Sequence, residues 1–247
     1  MIDLAPLDQH TKIALAFSGG KDSLALVYLL RPHLDRITIY HLDTGDLLPE
    51  IHDIVEHVRG FAPNFVDVRS AVAGWIETNG LPTDLLPFAA HDIGRFAGQE
   101  QIRTVPRYAC CYANLMLPLW ERIAADSITL LIRGTKAVDL KRLPAVSGTV
   151  HDGVEIWHPI EDWTHERVLA YLRSVNAPHN RIYDHMTNAP ECARCSAWWG
   201  EGRAAYLAEY HPELLADYAR RLRAVTGEIL GSVNDLNREL GVINGNV

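Results

Sequence analysis

Long apolar runs are missing from this 247-residue chain. No stretch approaches the roughly 18 residues of a membrane span, and residues 1–12 lack a basic region followed by an apolar core, so a soluble, cytoplasmic protein with no membrane association is expected. Positive charge is also in short supply. Lys and Arg total 23 against 31 Asp and Glu, a formal charge of −8, which excludes a chain that grips nucleic acid through its overall field. A DNA or tRNA target would need help from a partner. Cysteine is scarce, with only four residues, and none of the 12 histidines falls in a His-x-x-x-His ligand pair, so the histidines read as surface or core polar groups. There is no internal repeat and no low-complexity linker.

What is present is a large apolar complement, 48% of residues, enough for one sizeable core or a core with a small appendage. Short β-rich runs at 13–17, 37–42, 65–68 and 128–132 alternate with helical patterns at 22–30, 49–59 and 112–125. That alternation predicts an α/β fold, a doubly wound and mostly parallel sheet with ligands outside the carboxyl ends of its strands. Residues 80–98 are less regular and read as an insertion or lid. Residues 203–240 read as nearly all helix. The expected division is an α/β domain over 1–200 and a helical carboxy-terminal extension over 201–247.

The run Ser18-Gly19-Gly20-Lys21-Asp22-Ser23 follows the first strand and opens the first helical pattern. Glycines at a strand-to-helix turn let backbone N–H groups approach an anion, and Ser18, Ser23 and Lys21 add donors and charge. The spacing fits neither a Walker A loop nor Gly-x-Gly-x-x-Gly. It resembles the PP-motif of the ATP pyrophosphatase superfamily, whose fold is that of the adenine-nucleotide α-hydrolases. The second strand ends in Asp43-Thr44-Gly45 with Pro49-Glu50 beyond, a common turn by itself that resembles, in this position, the Asp-Thr-Gly…Phe-Pro-Glu-Thr segment of the sulfonucleotide reductases. Those enzymes reduce adenylyl sulfate (APS) or its 3′-phosphorylated form (PAPS).

The cysteines form two pairs, Cys110-Cys111 and Cys192-Ala193-Arg194-Cys195. Four thiolates suit zinc or a [4Fe–4S] cluster; adjacent cysteines fit two corners of a cube better than one tetrahedral ion, while buried thiols or a dithiol are the plainer alternatives. The arrangement is similar to the Cys-Cys…Cys-x-x-Cys signature of the iron–sulfur reductases. The likeness extends to Arg107-Tyr108-Ala109, Pro118-Leu119, His158-Pro159-Ile160-Glu161-Asp162-Trp163-Thr164 and Asn180-Arg181-Ile182-Tyr183-Asp184, most of residues 13–196. Thr164 also reads as an N-cap, with Val168, Leu169 and Leu172 as the buried face of its helix and Trp163 as core.

Basic residues gather at Arg133-Gly134-Thr135-Lys136 and Lys141-Arg142, after the strand at 128–132. As a solvated loop they would mean little, but beside the Ser18 loop they would face bound phosphates. They resemble the family's Gly-Leu-Arg-Arg…Arg substrate loop.

The resemblance implies an adenine nucleotide (ATP, APS or PAPS) on Ser18, Gly19, Gly20, Lys21, Asp22, Ser23, Asp43, Thr44, Gly45, Lys141 and Arg142. Lys21, Asp22, Arg133 and Lys136 are then expected in catalysis, Mg²⁺ with the nucleotide, and a [4Fe–4S] cluster on Cys110, Cys111, Cys192 and Cys195. Two departures stand out. The family's attacking cysteine lies in Glu-Cys-Gly-(Ile/Leu)-His, where this chain has Glu239-Leu240-Gly241-Val242-Ile243, and a lysine four residues beyond the tandem cysteines is replaced by Leu115. Three activities are therefore expected: ATP-driven adenylylation in sulfur transfer, with a cysteine desulfurase or other sulfur donor; APS or PAPS reduction with a thiol from elsewhere; or a noncatalytic nucleotide- or cluster-binding subunit. A homo-oligomer is compatible with each.

Overall fold

A computed structural model describes residues 2–85, 104–139, 146–199 and 202–243. In chain order the first elements are α1 (Ala5–Gln9), β1 (Ile13–Phe17), α2 (Lys21–Leu29), β2 (Ile37–Asp43), α3 (Pro49–Arg59), β3 (Phe65–Arg69), α4 (Val72–Asn79), β4 (Leu81–Pro82) and β5 (Thr104–Val105). There follow α5 (Arg107–Cys111), α6 (Leu117–Ala125), β6 (Leu130–Ile132), β7 (Val150–His151), β8 (Val154–Trp157), α7 (His165–Ser174), α8 (Ile182–His185), α9 (Arg203–Tyr210) and α10 (Pro212–Ile243). The chain forms two compact units, one from 1–70 with 115–191 and the other from 71–114 with 192–247.

The first unit is built on a six-stranded sheet in the order β3-β2-β1-β6-β8-β7, parallel except for β7. This is the expected doubly wound α/β sheet. Its central strands β1 and β6 are apolar throughout and buried, as strands covered on both faces are. Ala14, Tyr40, Leu131 and Ile156 share one face with Ile123, while Leu119 and Trp120 of α6 pack against the same cluster. Winding outward from β1 through β2 to β3, and the other way through β6 to β8, reverses the strand order between β1 and β6. A reversal of this kind opens a crevice at the carboxyl ends of the two strands. The loops after β1 and β6, residues 18–20 and 133–136, both start there.

One local expectation needs correction, and two further features add to the reading. The helix expected over 112–125 begins as a π-turn at Tyr112–Met116 and becomes α-helical only at Leu117, because Pro118 has no N–H and its ring conflicts with a helical carbonyl four residues back. The region expected to be nearly all helix, 203–240, is helical except at His211, which separates α9 from α10. His211 precedes Pro212 and takes φ −143°, ψ 63°, outside the helical region that a following proline disfavours. The β7–β8 hairpin was not anticipated, although Asp152-Gly153, with φ of 49° and 81°, is the residue pair such a two-residue turn demands. The expected cap is in place: Thr164 Oγ1 accepts the Arg167 N–H at 3.2 Å, with Val168 and Leu172 buried, Leu169 half-buried and Trp163 in the core.

In the second unit, β4 and β5 pair in parallel, and Val72, Val105 and Cys110 form a small core with Trp75, Ile76 and Cys192 against it. The irregular segment expected over 80–98 lies outside the described residues from 86 onward.

Tyr40 ties β2 to the end of α6: its hydroxyl donates to Asp126 Oδ2 at 2.5 Å, which also accepts from Arg122 Nε at 2.8 Å. Arg122 first, then Tyr40, holds the Asp126 carboxyl below the usual carboxylate range. This contribution is present above the unfolded-state value near 3.9 and fades as pH falls through the lower folded one. Tyr40→Phe should therefore cost about 1–2 kcal/mol at pH 7. In urea titrations the gap from wild type should narrow below about pH 4.

Candidate functional site: a phosphate loop and a group of four thiols

The turn after β1 is braced by its own serines. Ser23 Oγ donates to the Gly20 carbonyl at 3.1 Å and accepts the Ser18 N–H at 3.3 Å, while the Gly20 N–H donates to Ser18 Oγ at 3.3 Å. Gly19 sits at φ +76°, and a β-carbon there would meet Ile51 Cγ2 at 2.7 Å, so α3 packs against the turn only because residue 19 is glycine. Gly20 then caps α2 in an extended conformation with no side-chain cap bond, and a helix N-terminus of this kind favours an anion.

Charge at this turn is arranged in pairs. Lys136, fully buried, places Nζ 2.5 Å from Asp22 Oδ2, and Lys21 Nζ lies 3.6 Å from the same oxygen. Lys21 also donates to the Thr187 carbonyl at 2.7 Å and to Asn188 Oδ1 at 3.4 Å, and lies 4.9 Å from the centre of the Tyr183 ring. Its backbone N–H donates to the Tyr183 hydroxyl at 2.7 Å. Asp22 Oδ1 is buried without a hydrogen-bond partner among the described residues. The fold thus brings Lys21, Asp22 and Lys136 together, with Arg133 in the loop that carries Lys136. Lys141 and Arg142 lie outside the described residues.

Asp43-Thr44-Gly45 leaves the same strand edge from β2. The Gly45 N–H donates to Asp43 Oδ1 at 2.8 Å, with Gly45 at φ +73°, and the Asp46 N–H donates to Thr44 Oγ1 at 3.3 Å. Glu50, at the start of α3, accepts from Arg181 Nε at 3.1 Å. The turn is thus braced by its own side chains.

His158, at the end of β8, opens the family-like segment 158–164, but no ligand spacing marks the histidine itself. Its ring is 4% exposed, and neither nitrogen has a hydrogen-bond partner among the described residues. Burial first, and then the positive charge of Arg133, pushes this imidazole down to about 4. Burial alone lowers Arg133.

All four cysteines belong to the second unit, and none is in a disulfide. Cys110 and Cys111 end α5, and the Cys195 N–H donates to the Cys192 carbonyl at 3.3 Å. Arginines brace the second pair from behind: Arg203 donates to the Cys195 carbonyl and Arg221 to the Arg194 carbonyl, each at 3.2 Å. Asn114 Nδ2, in the π-turn, donates to the Cys110 carbonyl at 3.1 Å and lies 3.7 Å from its sulfur. Among the described residues no group of three or more His, Cys, Asp or Glu stands arranged around a single metal ion.

Burial, followed by the fields of Cys111 and Cys195, pushes the Cys110 thiol up to about 12, against the Asn114 contact and the Arg221 charge. Since the thiolate is the reactive form, Cys110 in metal-free protein at pH 8 should be the slowest of the four cysteines to alkylate. Mass spectrometry of iodoacetamide-treated samples reads this directly; Cys110 labelling as fast as its neighbours would contradict it.

Residues 12–79 match the phosphoadenosine phosphosulfate reductase domain. The adenosine 5′-phosphosulfate reductase of Allochromatium vinosum is 25% identical over 211 residues, spanning 76% of this chain and 74% of that protein. The enzyme of the same name from Neisseria meningitidis serogroup B is 26% identical over 212 residues, spanning 78% of this chain and 80% of that protein. In fold, the chain is similar to a phosphoadenylyl-sulfate (PAPS) reductase from Candida auris solved as a phosphate complex, with a TM-score of 0.51 and 14% identity, covering 72% of this chain and 79% of that one. With the braced Ser18–Ser23 turn at a β1/β6 strand-order reversal, the chain is thus similar in sequence to sulfonucleotide reductases, by family domain over residues 12–79 and by relatives over about three quarters of its length.

Proposed function

We propose that this protein binds APS or PAPS with the nucleotide phosphate on the Ser18–Ser23 turn, and that it activates the bound sulfate for attack by a thiol supplied from elsewhere. The observation that carries this reading is the turn itself: a glycine-built helix N-terminus at a strand-order reversal, with Lys21 and Lys136 pinned on either side of Asp22. In the reaction, a thiolate attacks sulfur, a new S–S bond forms, and the bond from sulfur to the bridging oxygen breaks. The nucleotide leaves as AMP, or as adenosine 3′,5′-bisphosphate, with the bonding electron pair. A dithiol of the thioredoxin kind then reduces the S-sulfonate, releasing sulfite and ending as a disulfide. Backbone N–H groups and cations at the turn stabilise charge that grows on the departing phosphate.

The attacking thiol is assigned to a partner because the four cysteines of this sequence are assigned together. They fit a [4Fe–4S] cluster in donor chemistry: four thiols outside any disulfide in one unit, with burial disfavouring ionisation of Cys110 unless a cation compensates it. Iron bound there would hold the sulfurs as thiolates and set the field around them. Leu240, where the resemblance places the nucleophile, is exposed on α10.

One observation favours a second reading, ATP-driven adenylylation with a sulfur donor such as a cysteine desulfurase. The unpartnered Asp22 Oδ1 is a carboxylate oxygen suited to Mg²⁺ carried in by a triphosphate. Here an acceptor oxygen attacks the α-phosphorus and pyrophosphate leaves.

Anaerobically purified protein given APS, PAPS or ATP separates these readings. Sulfite and AMP from APS, dependent on an added thiol partner, are expected; pyrophosphate from ATP with no sulfite from either sulfonucleotide would replace the first reading with the second. Iron and acid-labile sulfide should be present in equal amounts, and stoichiometric zinc without iron would overturn the cluster. Lys21→Ala should weaken nucleotide binding at least tenfold, roughly 1.4 kcal/mol or more, while leaving the iron content unchanged. Loss of iron with intact nucleotide binding would refute the division of roles.

A further inference from the structure

Three N–H groups at the start of α2 are already engaged with hydroxyl oxygens: Ser18 with Ser23 Oγ at 3.3 Å, Gly20 with Ser18 Oγ at 3.3 Å, and Lys21 with the Tyr183 hydroxyl at 2.7 Å. A hydroxyl that accepts in this way still has one hydrogen to give. Ser23 gives its hydrogen to the Gly20 carbonyl at 3.1 Å. Ser18 Oγ lies 3.3 Å from Ser23 Oγ, and because the Ser23 hydrogen is committed, Ser18 is the donor between them. Tyr183 differs from both serines. Among the described residues its hydroxyl makes one hydrogen bond, as the acceptor from Lys21.

The unassigned hydrogen lies at the glycines of the turn. A β-carbon on Gly20 would stand 3.4 Å from the Tyr183 hydroxyl oxygen, and the Lys21 ammonium lies 4.9 Å from the centre of the Tyr183 ring. Tyr183 lines a cavity of about 40 Å³ together with Gly19, Lys21 and Asn180, more than the roughly 10–15 Å³ that a single water requires. Asn180 is 6% exposed, and its Oδ1 accepts the Ile182 N–H at 3.0 Å. Its Nδ2 is buried without a partner among the described residues. Two side chains of one cavity thus carry donors with no acceptor. That set is complementary to the oxygens of an anion. Burial raises the Tyr183 phenol above its ordinary value, so the hydroxyl keeps its hydrogen at neutral pH. Accepting from a helix-end amide also polarises the O–H and makes it a better donor.

We infer that Tyr183 contacts the ligand: its hydroxyl accepts from the Lys21 amide and donates to an oxygen of the nucleotide phosphate, standing where the bare helix end would offer that amide. The inference rests on the proposed nucleotide site at the Ser18–Ser23 turn, to which it adds a residue distant in sequence. Asn180 Nδ2 is a second donor from the same cavity. As the departing phosphate gains charge, the hydrogen bond from Tyr183 tightens without transferring its proton, so the contact favours the transition state over the bound substrate.

Calorimetric titration of the intact protein with AMP and with adenosine tests this at pH 7, in wild type, in Tyr183→Phe and with 3-fluorotyrosine in place of Tyr183. Tyr183→Phe keeps the ring beside Lys21 and removes the hydroxyl. AMP should then bind about tenfold more weakly or worse, as for a lost hydrogen bond to a charged group, while adenosine, which has no phosphate, binds as it does to wild type. An equal loss for adenosine would mean that the whole turn is disturbed, and would overturn the contact. Fluorine separates the two roles of the hydroxyl, since it makes the phenol a stronger donor and a weaker acceptor. Donation to phosphate predicts tighter AMP binding by the fluorotyrosine protein; weaker or unchanged binding means that the hydroxyl only caps Lys21, and refutes the contact. Thermal unfolding verifies that each variant is folded, and if Tyr183→Phe is not, the fluorotyrosine comparison decides. No AMP binding by wild type would defeat the nucleotide site itself, whereas AMP bound equally by wild type and Tyr183→Phe defeats the part of Tyr183 alone.

Discussion

Gly134 has no room for a side chain, because a β-carbon there would lie 2.9 Å from the carbonyl carbon of Asp22 and 3.0 Å from the Ser23 nitrogen. That approach is the constraint on which the candidate site depends. A doubly wound sheet brings the loops after β1 and β6 out at the same edge whatever their sequences, but only a missing Cβ lets one backbone lie against the first turn of α2. Once they touch, Lys136 is delivered to Asp22 inside the protein, where the surroundings screen little and a single ion pair can fix both loops. The turn at 18–23 is shaped by its own serines, yet it is kept in place from the neighbouring strand.

How much of this was legible in the sequence follows from how local each cause is. The turn at Ser18–Ser23 is local: an apolar strand, two glycines and a helix start are adjacent letters, so position and chemistry could be read together. The sheet was legible for a similar reason, since strands buried on both faces are apolar nearly throughout. The helix breaks at Pro118 and Pro212 and the Asp152-Gly153 hairpin carried equally local signals, which the longer helical periodicities masked. The second unit is different in kind. It is assembled from 71–114 and 192–247, and nothing within either segment says that Cys110 will pack against Cys192. The buried ring nitrogens of His158 lie at the far limit, for no one-dimensional pattern records that a side chain has no hydrogen-bond partner among the described residues.

The same cause explains why cations that look alike in the sequence behave differently in the fold. Lys21, Lys136 and Arg133 all read as phosphate ligands. In the structure both lysines are engaged with protein acceptors, so much of their charge goes into holding the turn, the 187–188 segment and the β6 loop together. A bound phosphate would meet them as part of a rigid frame, whose geometry costs little to organise when the ligand arrives. Arg133, half-exposed in the same loop, is organised by its backbone bond to Trp157. Removing either lysine should therefore disturb the frame as well as what it receives.

The thiols are governed by the opposite balance. A buried cysteine is a comfortable small hydrophobe, and Cys110, packed with Val72 and Val105, is stable as a neutral thiol. As a thiolate it would be penalised by burial and by its neighbours, so ionisation and cation binding at this position must occur together. The two cysteine pairs also come from segments far apart in sequence, and a group that bonded to both would close a long loop as well as compensate charge. A four-thiolate centre here would accordingly be coupled to the integrity of the unit that carries it. Arg203 and Arg221, which spend donors on the carbonyls of Cys195 and Arg194, hold the second pair in position and limit the reorganisation that such binding requires.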